Sequence, residues 1–341
     1  MRTIDVHAHL GTPDADRLLV GEAGFAAQLA ADAQAQGAAS AVYNREHYAA
    51  LGRRLTSLPE RLAAMDAARV DVQAVSATPI ARPWMERALA ERYVGEVNTA
   101  VADFCRQAPD RLVPVMTVAL HLPDLAVRQL RTAVEDLGAV GVQISTTAAP
   151  GIELDHPSLS EFWETAVALD VPVLIHPWGC SLGERLDVGY MFNHVGNPTE
   201  TSVALSRLIF GGVLDRFPEL RVWAAHAGGW LPSYSGRADH AWHQREDART
   251  CEHPPSSYLR RMWFDALVYT EPALRFLVDS VGEEHVTIGS DYPFDMGVDD
   301  PVERIEAALK DRAARAAVTS ASAQLLFGPR LMERITMRET R

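Results

Sequence analysis

Lysine is almost absent from this 341-residue sequence: Lys310 is the only one among 32 basic residues, the rest being arginine. Any mechanism that needs a lysine in the core is thereby excluded, because Lys310 falls in a predicted late helix. Cysteine is scarce as well. Cys105, Cys180 and Cys251 are an odd, widely spaced set without a CxxC, so neither a disulfide framework nor a thiolate metal cage is expected. No stretch offers the ~18 uninterrupted apolar residues of a membrane-spanning helix, and no membrane partner is expected. Positive charge is in deficit: 45 acidic against 32 basic residues leave a net charge of −13, which disfavours nucleic acid as a partner, since phosphate binding depends on clustered Lys and Arg. Met1-Arg2 runs straight into an apolar strand without a charged leader or cleavage site, so a cytoplasmic location is expected. A Gly-rich phosphate turn after the first strand is also missing, which argues against an open doubly wound sheet.

What remains is an ordinary globular composition, 48% hydrophobic and 23% charged, at a length that α/β barrels use as one domain. The first strand, Thr3 to His9, ends in two histidines one residue apart. Side chains on a strand alternate faces, so His7 and His9 point the same way and can grip one ion together. From residue 11 to 55 the pattern loosens into an alanine-rich helix, Phe25 to Ala39, and an irregular continuation. That length between a strand and its next helix predicts an inserted lid subdomain.

A regular beat follows. Apolar strands are predicted at 72–76, 112–118, 140–144, 171–175, 220–225, 262–267 and 286–289, with helical pattern between them. Eight short apolar strands, each followed by helix, predict a parallel (β/α)₈ TIM barrel, a single domain over 1–341 with its chemistry at the C-terminal strand ends. The last residues of the putative strands are His7 and His9, then His176, then His226, then Asp291. On a barrel these ends share one face. Three imidazoles and a carboxylate there match a catalytic divalent-metal site with one open position.

The stretches Ile4-Asp5-Val6-His7-Ala8-His9, Ile175-His176-Pro177-Trp178, Ala225-His226-Ala227-Gly228-Gly229 and Gly289-Ser290-Asp291-Tyr292-Pro293-Phe294 together resemble the amidohydrolase superfamily. Within it they are similar to the branch of aminocarboxymuconate-semialdehyde decarboxylase. That branch contains decarboxylases of carboxylated muconate semialdehydes and of hydroxybenzoates, with some hydratases and lactone hydrolases. The resemblance implies that His7, His9, His176 and Asp291 hold one divalent ion, zinc in first place and manganese in second, without an organic cofactor. It implies that His226 stands beside the ion as acid/base, a role that composition alone does not assign, and that Asp291 shares in proton transfer. Relatives with two metals bridge them with a carboxylated lysine on the fourth strand; here that strand ends Val142-Gln143-Ile144-Ser145, so a one-metal site is expected.

A carboxylate substrate calls for fixed guanidinium groups. By the resemblance Arg45 would bind substrate from its own chain and Arg237 across a homodimer interface. Trp178 and Phe294 are expected as apolar walls against a flat ring. Between Tyr190 and His194, where the branch would place tryptophans, Asn193 and His194 imply a more hydrogen-bonding pocket, so the branch's amino-muconate substrate does not carry over. The expected function is a metal-dependent, cofactor-free decarboxylase of an unsaturated or aromatic carboxylic acid. The alternatives are a hydrolase or hydratase of a lactone, ester or unsaturated acid at the same site, and a silent barrel that only binds a carboxylate.

Overall fold

The first strand, β1 (Ile4–Leu10), is buried along its whole length although it carries Asp5, His7 and His9. Polar groups so placed must be paired within the protein or hold an ion. The structure, a computed structural model, describes residues 2–336. Around β1 stand β2 (Val72–Ala77), β3 (Leu112–Thr117), β4 (Gly141–Ile144), β5 (Val173–Ile175), β6 (Val222–Ala224), β7 (Trp263–Asp265) and β8 (Val286–Thr287). They pair in parallel and in sequence order. Closure is made by Val6, whose N–H donates to the Ile288 carbonyl at 2.9 Å, and by His9, whose N–H donates to the Tyr292 carbonyl at 2.7 Å. The (β/α)₈ barrel read from the strand pattern is thus the fold.

Alternation along the strands sorts the core into two layers. Val173 and Ile175 of β5 and Val222 and Ala224 of β6 pack against the surrounding helices. Their intervening neighbours, Leu174 and Trp223, join Ile4, Val6 and Val115 in a second cluster, which Leu326, Phe327 and Leu331 of the C-terminal helices complete. Burying one such side chain fully contributes roughly 1.5–3 kcal/mol. In β1 the register with β2 slips between Asp5 and Ala8. This extra residue lets His7 follow Val6 onto the inner side, a change that strict alternation would not give.

Helices that matter for the site are α1 (Ala23–Gln36), α2 (Ala38–Thr56), α3 (Leu58–Ala67), α4 (Asn197–Phe210), α5 (Leu231–Gln244) and α6 (Glu271–Val281). The segment between β1 and α3 is more regular than its sequence pattern suggests. The predicted helix from Phe25 to Ala39 stops at Gly37 (φ +78°), and a second helix takes in the stretch left irregular. A Cβ at Gly37 would lie 1.8 Å from the Asp187 carbonyl oxygen, so only glycine permits this approach. At α3 the Ser57 hydroxyl caps the Glu60 N–H and Pro59 sits in the first turn, the combination that starts a helix. Among the described residues no helix is long and apolar enough to cross a membrane.

Candidate metal centre and active site

His7, His9, His176 and Asp291 come from β1, the end of β5 and the segment after β8, and one ligand atom of each lies within 4.8 Å of all the others. All four are at most 5% exposed. The His7 and His9 Nε2 atoms are 3.1 Å apart, and His176 Nε2 is 3.0 Å from His7 Nε2. Asp291 Oδ1 is 3.1 Å from His9 Nε2 and 3.5 Å from His7 Nε2.

The protonation of these rings tests whether a cation fits. His176 Nδ1 lies 2.9 Å from the Pro177 carbonyl oxygen, which can only accept, so the ring's proton is on Nδ1. His7 Nδ1 lies 2.7 Å from Asp265 Oδ2 and donates to that carboxylate. In the neutral rings both Nε2 atoms therefore carry lone pairs that face each other. Two acceptors at that separation repel unless positive charge lies between them, and a divalent ion with nitrogen and carboxylate ligands meets that need. The surrounding carboxylates also favour positive charge here: burial opposes a charged His7, yet Asp265 and Asp291 carry its pKa up to about 9, so that without an ion a proton takes that place. Burial and the neighbouring imidazoles push His176 well below the ordinary histidine value. Burial also disfavours charge on Asp291, but His226 and His9 outweigh it and hold the carboxyl well below the carboxylate range.

His226 stands outside this cluster. Its ring centre is 5.0 Å from that of His176 and 5.3 Å from that of His7, and its Nε2 is 3.7 Å from Asp291 Oδ2. Asp291 thus turns one oxygen to the cluster and the other to His226. Both residues have left-handed backbone, φ +54° at His226 and +56° at Asp291, a strain of about 1–3 kcal/mol each that neighbouring contacts must hold. At His226 the holder is Asp265, whose Oδ2 accepts the His226 N–H and whose Oδ1 accepts the Ala227 N–H, both at 2.8 Å. Asp265 escaped the sequence reading, although it is the last residue of β7 and the strand-end rule could have found it.

Behind β1 lies a second buried network that the sequence reading also missed. Arg61 of α3, fully buried, donates through Nη2 to the His9 carbonyl and through Nη1 to Gln73 Oε1 at 2.6 Å. Gln73 Nε2 donates to Asp5 Oδ2 at 2.8 Å. Asp5 in turn accepts the N–H groups of His7 and Ser290, each at 3.0 Å. The Gln73 amide is an oriented dipole between a buried cation and a buried carboxylate, and the chain ends at the backbone of His7, His9 and the residue before Asp291.

The space beside the cluster is a small cavity of about 30 Å³ bordered by His176, Trp178, Asn193, His226, Asp291 and Phe294, together with Tyr48 and Tyr190. Trp178 Nε1 donates to Asp32 of α1 at 3.3 Å, and Tyr48 of α2 meets Phe294 edge-on at 5.9 Å, so both α1 and α2 touch the site. Burial is the main cause that raises the Tyr48 and Tyr190 phenols, Tyr190 to about 12, which keeps both hydroxyls protonated as donors. His194 is exposed, donates to the Gly189 carbonyl at 3.0 Å and borders a neighbouring cavity instead. Arg45 on α2 and Arg237 on α5 are exposed, and neither borders this cavity.

Comparison with known proteins places this geometry. A family model described as amidohydrolase matches residues 4–328. The 2-amino-3-carboxymuconate-6-semialdehyde decarboxylase of Dictyostelium discoideum is 35% identical over 244 residues, covering 70% of this chain and 67% of that protein. The gamma-resorcylate decarboxylase of Rhodococcus jostii is 28% identical over 287 residues, 78% of this chain and 86% of that one. Among solved structures, 5-carboxyvanillate decarboxylase from Novosphingobium aromaticivorans, complexed with manganese and 4-hydroxy-3-methoxy-5-nitrobenzoic acid, superposes with a TM-score of 0.81 at 25% identity, covering 96% of each chain.

Proposed function

This chain belongs to the amidohydrolase family, and from that premise we propose that it is a metal-dependent decarboxylase of an unsaturated or aromatic carboxylic acid. The observation that carries the reading is a separation of roles: four side chains converge through their ligand atoms, while a fifth, His226, stands beside them with its Nε2 toward the free oxygen of Asp291. We assign His7, His9, His176 and Asp291 as ligands and His226, assisted by Asp291, as acid/base. Zinc is the first choice because three nitrogens and one carboxylate suit it. Manganese, present in the 5-carboxyvanillate decarboxylase structure, is the alternative, and no organic cofactor is required. When bound, the ion supplies Lewis-acid polarisation of a substrate oxygen.

The chain's own residues do the rest. Trp178, Phe294 and Asn193 wall the carboxylated end of the substrate, with His194 farther out. Arg45, exposed on α2, meets the substrate from the lid formed by residues 11–55, outside the chamber at the cluster. Arg237, exposed on α5, serves the site of a second copy in a homodimer. His226 delivers its Nε2 proton to the carbon that bears the carboxylate. The carbon–carbon bond then breaks, its electron pair restores the unsaturated system, and carbon dioxide leaves. Asp291 Oδ2 steadies the charge on the imidazole while it is protonated. The enzyme acts as one barrel domain in the cytoplasm.

The test is a mass-spectrometric screen of metal-loaded protein against hydroxybenzoates, carboxymuconate-type acids and lactones in deuterated water. Loss of carbon dioxide with a deuteron on the vacated carbon is expected. Gain of water without loss of carbon would move the reading to a hydratase or hydrolase.

A further inference from the structure

The cavity at the cluster, about 30 Å³, has room for about two waters or a group of carboxylate size. It cannot take a whole aromatic acid. His226, Asn193, Asn197 and Met296 border that cavity on one side and on the other a second cavity of about 520 Å³. This second volume is in the range of roughly 300–1,000 Å³ that whole small-molecule ligands occupy. Its remaining walls are mainly apolar: Trp230 and Leu267, and Phe276 and Leu277 of α6. Trp230 and Phe276 at its rim are 45% and 50% exposed, large apolar groups left in water on a chain that buries most of its others.

We propose that the second cavity is the binding site for the body of the substrate, and that this body carries an apolar arm extending from the ring or chain toward Phe276. The carboxylated end enters the small chamber, the reacting carbon lies beside His226, and the rest of the molecule lies on the Trp230 side. The substrate class is then an alkyl- or aryl-extended carboxylic acid rather than a singly substituted benzoate. Charge supports this division. Among the described residues bordering the larger cavity none is a lysine, arginine, aspartate or glutamate, so it holds no permanently charged partner for a second ionised group. The inference deepens the decarboxylase reading and rests on the same centre.

Binding, measured without turnover, tests it. Zinc-loaded protein is titrated calorimetrically with benzoate and with 4-alkylbenzoates of increasing length. Transfer of each methylene into the cavity tightens Kd by up to about fourfold until the space is filled. Ala273, which borders only the larger cavity, provides the control. The A273F protein should keep its metal content but lose the gain with chain length, and F276A should weaken only the longer members. A Kd independent of chain length overturns the proposal, as does an equal gain in A273F or failure of every member to bind. The first of these is the outcome if a second copy of the chain covers the cavity. If the chain-length series holds but no acid in the deuterium screen loses carbon dioxide, the decarboxylase reading fails while the binding site stands.

Discussion

Asp265 Oδ2 accepts the His226 N–H at 2.8 Å and also the His7 Nδ1–H at 2.7 Å. One oxygen thereby fixes the tautomer of a candidate ligand and the backbone of the candidate acid/base. Burial opposes charge on this carboxyl, but the bond from His7 outweighs it and keeps the group ionised. An amide at 265 keeps only one acceptor oxygen, so its NH2 would face either the His7 Nδ1–H or the Ala227 N–H. Asp265→Asn should therefore weaken metal affinity by about 10–100-fold, read by competition with a chromophoric chelator. Unchanged affinity would show that the ring is oriented by something else.

Separation of the two histidine roles gives a paired prediction. His226 lies off the ligand cluster, so His226→Asn should keep its metal content while turnover falls by about 10²–10⁴-fold, the usual contribution of general acid/base catalysis. His176 contributes an inward Nε2, and His176→Ala should lose the ion itself. Elemental analysis of both purified variants separates these outcomes. Loss of metal from the His226 variant would return that residue to the ligand set.

Much of this was legible in the chain. Eight apolar runs announced the barrel, and the polar residues at their ends do meet, because parallel strands in sequence order bring all C-terminal ends to one face. What stayed hidden depends on contacts between distant segments. The break at Gly37 is imposed by the carbonyl of Asp187, 150 residues further along. Asp5 reads as part of an alternating strand, but past the slipped register its carboxylate pairs with Gln73, Ser290 and the His7 backbone N–H. Arg45 and Arg237 are exposed, so the reading of them as substrate-binding residues comes from the resemblance and not from contacts in the fold.

Arg61 supplies the third prediction. Its guanidinium has no water to solvate it; burial lowers its pKa to about 10 even though Asp5 and Tyr292 favour the charge. It lies 4.8 Å above the Tyr292 ring and donates to His9 and Gln73. Arg61→Ala leaves the Gln73 and Asp5 end of the network without its cation, and removal of one partner from a buried charge network costs about 3–5 kcal/mol. Urea unfolding should report that loss. Arg61→Lys should recover little, because a single ammonium cannot reach both the His9 carbonyl and the Gln73 amide in the same plane.

His285, on the segment that leads into β8, should make stability depend on pH. Its ring lies 4.9 Å from that of Trp263, and its Nδ1 is buried without a partner among the described residues. Burial lowers its pKa below the ordinary 6.5, with Glu284 opposing only in part. Below 6.5 the unfolded chain therefore binds a proton that the native protein resists, so the unfolded state holds more protons and stability falls as pH falls. Above the unfolded value both states are neutral there and the effect vanishes. Between about pH 7.5 and 5.5 the urea midpoint of the native sequence should drop more than that of His285→Gln, since glutamine cannot take up the proton. The acids and the cluster histidines are common to both proteins, so the difference between the two slopes isolates His285. Parallel slopes would mean that the ring is hydrated or finds a proton acceptor in the native state.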